Sequence, residues 1–277
     1  MAGMRPDGTE TQSGVQHEAG RQDAGVPGGG GLDAGRQDAG VPGEDGRGGL
    51  PLAPVTFDLA QQSVRELNSY LHALSGGGTV QVLNPDGAHN LAVGVNAPVQ
   101  VTIEGHAGYY AAGMNQHAQV LVNGNAGPGV AEGMTSGLVR VRGFASVSAG
   151  AAAHGGLLII EGDAGLRCGI SMKGVDIVVR GSVGSFSGFM AQAGRMVVCG
   201  DAGDALGDSL YEAVLYVRGR IRSYGADAHE EPMTDADYQS VAELLRAAGF
   251  DFDPHDFRRV ASRRALYHWN ADADQEY

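Results

Sequence analysis

The sequence predicts a mainly β protein: a right-handed parallel β-helix of about seven to eight 19-residue turns, flanked by an N-terminal helix and C-terminal helices. Three observations carry that prediction. First, glycines recur at Gly105, Gly124, Gly143, Gly162, Gly181, Gly200 and Gly219, each 19 residues after the last. An unbroken period of this length is the signature of one unit stacked on copies of itself. Second, the positions two and four before each glycine are apolar and mostly β-branched. The first series runs Ile103, Val122, Val141, Ile160, Val179, Val198, Val217, and the second Val101, Val120, Val139, Leu158, Ile177, Met196, Leu215. Apolar residues two apart form one face of a strand. Third, small residues mark the corners. Ala107, Ala126, Ala145, Ala164, Val183, Ala202 and Ile221 stand two after the glycine, and Ala112, Ala131, Gly150, Gly169, Gly188, Gly207 and Ala226 seven after it.

The clearest turns read Gly-x-x-Gly-x-x-x-Gly: Gly162, Gly165, Gly169; Gly181, Gly184, Gly188; Gly200, Gly203, Gly207. A helical solenoid is excluded, because 19 residues holding two or more glycines cannot form two helices at roughly 1 kcal/mol per interior glycine. Right-handedness follows from the strand-crossover rule. Seven turns at about 4.8 Å each span roughly 34 Å.

Taken in order, residues 1–54 form a Gly/Asp/Gln-rich tail in which RQDAGVPG occurs twice, at Arg21–Gly28 and Arg36–Gly43. Such a composition buries too little apolar surface to offset the entropy of ordering, and a disordered tail is expected. Gly28–Gly31 follows no strand pattern and opens no helix, so it is not a phosphate cradle. Residues 55–78 are expected to form a capping helix from Phe57 to Leu74, with Asp58 as N-cap and Gln61 completing a capping box. Val64, Leu67, Leu71 and Leu74 line its apolar face and cover the open end of the coil. Residues 79–226 are the β-helix; Val80 and Val82 stand 19 before Val99 and Val101, so an atypical turn precedes the glycine series. Residues 227–277 are expected to be helical. Thr234 caps a first helix with Asp237, and Tyr238, Val241, Leu244, Leu245 and Ala248 form its face before Gly249. Asp253-Pro254 opens a second helical stretch with Phe257, Val260, Ala261, Leu266 and Tyr267 as buried candidates, and Asn270–Tyr277 is a polar end.

The position just before each glycine reads Glu104, Asn123, Arg142, Glu161, Arg180, Cys199, Arg218. In register, Arg142, Glu161 and Arg180 form an outward ladder of alternating sign, which is the candidate interface. No catalytic constellation accompanies it. The nine histidines include no His-x-x-x-His pair, and His106, His117 and His154 fall at different phases of the repeat. Cys168 and Cys199 are not stacked neighbours and read as small wall residues. Gly184-Ser185-Phe186-Ser187-Gly188 places no serine where a nucleophile elbow needs one. Glu104, Glu132, Glu161 and Asp176 are scattered, unlike the paired carboxylates of a carbohydrate-cleaving β-helix. Catalytic, cofactor and metal residues are therefore expected to be none.

The net charge of -13 belongs to the ends, while the repeat body is close to neutral. A body without a basic face excludes nucleic acid. No run of about 18 apolar residues spans a membrane, no apolar leader opens the chain, and two cysteines suit a reducing cytosol. A cytoplasmic location is expected.

These residues carry a resemblance. The Gly-x-x-Gly-x-x-x-Gly repeat resembles the C-terminal GXGXG β-helix of the glutamate synthase large subunit, and also the repeat subunit of formylmethanofuran dehydrogenase. The longer segments Glu104–Asn115, His154–Gly165, Arg167–Val179, Cys199–Ala213 and Ala261–Trp269 are more similar to one branch, the stand-alone subunits of N-methylglutamate synthase and the GlxC proteins. The resemblance covers about Phe57 to Trp269. It implies a non-catalytic structural subunit between a glutamine amidotransferase-like subunit and a synthase-like subunit carrying FMN and an iron–sulfur cluster. The implied reaction is glutamate plus methylamine to N-methylglutamate plus ammonia. A place in glutamate synthase proper or in a formylmethanofuran dehydrogenase-type complex is the alternative, with a stand-alone carbohydrate enzyme behind both. The family offers no catalytic residue to carry over to this chain.

Overall fold

The structure, a computed structural model, describes residues 54–263. The tail expected at the N-terminus, the candidates Leu266 and Tyr267 and the polar end Asn270–Tyr277 lie outside the described residues, apart from Pro54. One strand per turn builds the body: β1 (Val55–Asp58), β2 (Gly78–Leu83), β3 (Val99–Ile103), β4 (Gln119–Val122), β5 (Leu138–Val141), β6 (Leu157–Ile160), β7 (Lys173–Val179), β8 (Ala193–Val198) and β9 (Val214–Val217). These nine are parallel neighbours in chain order. β10 (Ala228–Glu231) and β11 (Arg258–Ser262) complete the sheet in the order β9-β11-β10, with β11 antiparallel to both of its neighbours. Helix α1 (Val64–Ala73) follows β1, and helix α2 (Asp235–Ala248) lies between β10 and β11.

The register is that of the repeat. Val101 pairs with Val120, Val120 with Val139, and so on through Leu158, Ile177, Met196 and Leu215. A second ladder of single parallel bridges joins Ala107, Ala126, Ala145, Ala164, Val183, Ala202 and Ile221. These columns and the residues two before each glycine are buried, save Ile221, which is partly buried, and together they fill the coil.

The glycines do two different jobs. Along the column from Gly124 to Gly219, each amide from Gly143 onward donates to the carbonyl of the glycine one turn below, at 2.9–3.0 Å. A Cβ at Gly162 would sit 2.8 Å from the Gly143 oxygen, so close approach of the turns requires glycine there. Seven residues later, Gly150, Gly169, Gly188 and Gly207 have φ of +67, +67, +69 and +64°. Ala112 and Ala131 hold the same corner at +54 and +57°, a conformation that costs an L-residue about 1 kcal/mol.

The ends differ from the sequence expectation in two places. Phe57 is in β1, not in a helix, and its burial against Val82's strand makes β1 the first rung of the sheet. The helix starts later. Ser63, not Asp58, is the N-cap: Glu66 N–H donates to Ser63 Oγ at 3.2 Å, and Ser63 N–H donates to Glu66 Oε2 at 2.7 Å. Leu67 and Leu71 are fully buried, and α1 bonds to the opening turn through Asn68 to the Asn90 carbonyl (2.8 Å) and His72 to the Val93 carbonyl (2.7 Å). The cap over the first turn is thus as expected.

At the other end, Thr234 and Asp237 form the expected capping box and Gly249 closes α2 in the left-handed region, at φ +71°. The second expected helix is absent. Asp253-Pro254 opens a three-residue 3-10 turn (Pro254–Asp256), and the residues after it form β11. The reason is tertiary: β9 would otherwise present an open edge, and β11 pairs with it, setting Val260 opposite Leu215 so that the buried column continues by one residue.

A second core lies outside the coil. Ile159, Val178, Val197 and Tyr216, which point away from the coil interior, pack with Val241, Leu244, Leu245 and Ala248 of α2 and with Phe257. Helix α2 therefore covers the outer face of β6–β9.

Candidate functional site

Several of the groups that could do chemistry are tied into the structure. Burial pushes the thiols of Cys168 and Cys199 up to about 12, so neither is a thiolate near neutral pH. Cys199 departs from the outward ladder: it is 2% exposed and belongs to the core under α2. His106 Nδ1 accepts the Asn125 amide at 3.0 Å, and His89 Nδ1 accepts the Tyr109 amide at 2.9 Å. His255 stacks on Tyr238 at 4.5 Å, and His229 bonds the Ala261 carbonyl at 3.1 Å. Among the described residues no three His, Cys, Asp or Glu side chains come together as metal ligands, and no helix is long and apolar enough to cross a membrane.

The residue after five of the seven anchor glycines plays a part that sequence reasoning missed. His106, Asn125, Asp163, Ser182 and Asp201 each accept, through the side chain, the amide 19 residues later, at 2.7–3.0 Å. Polar side chains here tie turn to turn along the corner that follows the strands. Two shallow depressions open on this corner, of ≈ 300 Å³ beside His106 and Phe144 and ≈ 310 Å³ beside Leu166 and Arg220.

The outer face of the sheet changes character along its length. At the start, Glu104 accepts from Asn123 Nδ2 at 2.8 Å and Gln81 Nε2 at 3.1 Å, and those bonds hold its carboxyl below the usual range. Arg142 and Arg180 are exposed. Glu161 between them is partly buried and pairs with Arg140 at 2.5 Å. Arg140 also donates to the Ala248 carbonyl at the end of α2 (2.5 Å), where a cation complements the helix dipole. Further on, Arg195 grips Asp176 with two bonds of 2.8 and 2.6 Å. Under α2, Tyr216 donates to Asp237 at 2.7 Å, and Arg259 reaches the same oxygen at 3.2 Å. Burial pushes the Asp237 carboxyl up, but hydrogen bonds from Thr234 and Tyr216 outweigh it and leave it below the usual range. Burial and the bond to Asp237 raise the Tyr216 hydroxyl.

The signal for α2's seat was in the sequence, three before each anchor glycine: Thr102, Leu121, Arg140, then Ile159, Val178, Val197 and Tyr216. Outward positions that turn continuously apolar belong to a sheet covered on both faces.

The chain has a known relative. It is 52% identical over 224 residues to Protein GlxC of Rhizobium meliloti (strain 1021), a match covering 79% of this chain and 98% of that protein. The chain belongs to the GlxC family. No family model matches it, and no solved structure does. This GlxC-family chain folds as a parallel β-solenoid with a helix laid along one part of its sheet.

Proposed function

We propose that this GlxC-family chain is the non-catalytic structural subunit of a cytoplasmic glutamate-synthase-like complex, N-methylglutamate synthase, which forms N-methylglutamate and ammonia from glutamate and methylamine. It holds no cofactor of its own and stands between a glutamine amidotransferase-like subunit and a synthase-like subunit carrying FMN and an iron–sulfur cluster. The observation that carries the reading is kinship along nearly the whole of GlxC, joined to the segment resemblance from Glu104 to Ala213. The physical form suits the role. Turns bonded to one another at backbone and side chain hold fixed heights about 4.8 Å apart, so surface residues on different turns keep constant separations. On this reading Arg142 and Arg180, exposed on the sheet face, meet a partner, with Glu161 between them.

The test is capture from the source cell. The tagged chain is expected to bring down an amidotransferase-like and a flavin-containing subunit, and the absence of both overturns the proposal. The complex is expected to consume methylamine with glutamate; turnover of 2-oxoglutarate with glutamine instead would place it in glutamate synthase proper. Arg142→Glu with Arg180→Glu is expected to weaken capture while leaving the melting temperature within a few degrees of wild type, since exposed charges contribute little to stability.

A further inference from the structure

Nine large apolar side chains of the described residues are markedly exposed, and they are not scattered. Seven of them, Tyr109, Met114, Phe144, Val147, Leu166, Phe186 and Met190, fall on the flank that follows the strands, within the five turns whose first begins at Gly105 and whose last begins at Gly181. Four to nine residues after each anchor glycine, the chain reaches solvent in four columns of this flank. Their charged members in these turns are Glu132 and Arg167, and the column of Phe144, one after the glycine, adds Asp163. The apolar side chains expose roughly 600 Å², against about 800 Å² per partner in a standard-sized interface whose centre is depleted of charge.

The flank matches itself. Consider a two-fold axis lying in the contact plane and crossing the solenoid at its third turn. Each column then faces its own counterpart, the first turn meets the fifth, and the second meets the fourth. Val147 lies on the axis and meets Val147. Met114 meets Met190, Tyr110 meets Phe186, and Pro128 meets Leu166. Arg167 meets Gly129, and the Glu132 carboxylate lies over that glycine: a Cβ there would be 2.8 Å from Glu132 Oε2. Arg167 and Glu132 thus fall opposite each other, and Asp163 meets Asn125, as an isologous contact demands.

We propose that this flank is a dimerisation surface on which two copies of the chain pair antiparallel about Val147. The chain's own remaining segments fit it less well. Residues 1–53 contain no aromatic side chain. β11 runs antiparallel to β9, so the described chain leaves at the margin where the strands begin, away from the flank.

Sedimentation velocity of the purified full-length chain tests this without any other subunit, so its failure is separate from failure of the proposed complex. The expected mass is twice the 28.5 kDa of one chain. Val147→Arg, which sets like charges on the axis, is expected to give a folded monomer, with folding checked by circular dichroism. Glu132→Arg and Arg167→Glu each raise the dimer dissociation constant on the order of tenfold, and the double exchange restores it. Val147→Cys is expected to cross-link two chains under mild oxidation, because Cys168 and Cys199 are buried. A dimer indifferent to Val147→Arg and to the charge exchange overturns the proposal. So does a wild-type monomer, which assigns the flank to residues 264–277 or to another protein.

Discussion

Two apolar surfaces ride on the same coil and have opposite fates. On the sheet face, Ile159, Val178, Val197 and Tyr216 are buried because α2 lies over them. On the corner flank, Tyr109, Val147 and Leu166 stand 47, 37 and 49% exposed. Both rows obey the 19-residue register, and both point outward. The repeat dictates which residues enter the coil but leaves outward positions free, so these carry what is particular to this protein. A helix of the chain itself answers one row, and the other awaits a second surface.

The largest way to break this comparison is to break the register that both surfaces share. Gly169 has φ +67°, and a side chain there would run into the Met196 methyl and the Ile177 side chain. Gly169→Val is expected to lose roughly 2–4 kcal/mol through backbone strain and overpacking; wild-type stability in urea would mean that the corner is not where the structure puts it.

A leucine on each surface sharpens the contrast. Leu245 of α2 is 2% exposed, and Leu245→Ala is expected to cost about 2–4 kcal/mol. Leu166→Ala, measured in the Val147→Arg background to remove pairing between copies, is expected to stay within about 0.5 kcal/mol. Equal losses would show that the flank is covered within the single chain.

A smaller loss than that of Leu245→Ala comes from the polar tie beneath α2. The folded Asp237 carboxyl titrates below the ordinary value of about 3.9. Its contribution is therefore present above that pH and is lost as pH falls through the folded value. Asp237→Asn is expected to lower stability at neutral pH by about 1–2 kcal/mol and to flatten the acid limb below about pH 4. Denaturant titrations across that range check it, and an acid limb as steep as wild type would remove Asp237 as its source.

Much of this was legible in the sequence because the signals were local or periodic. The glycine column, the buried columns before it and the Thr234–Asp237 box all declare themselves within a turn of helix or a period of 19 residues. The misreadings came where a distant partner decided the outcome. Phe57 and Val260 stand in stretches whose apolar spacing suits a helix as well as a strand, and each became a strand because a neighbouring strand offered an unpaired edge. Of the residues one before each glycine, Arg142 and Arg180 stand exposed, yet Glu161 turned to Arg140, and Cys199 went under α2.

What the sequence by itself determined is the coil. A residue's place in the period sets its height and direction, and the closeness of stacked backbones leaves glycine as the residue that fits at the anchor column. What only the tertiary structure decided is which outward rows are covered. Nothing in a 19-residue period says where a helix 75 residues or more after Ile159 will lie, because that depends on how the chain returns past β9. That return seats Leu244 and Leu245 on the sheet and leaves Val147 and Leu166 in the open.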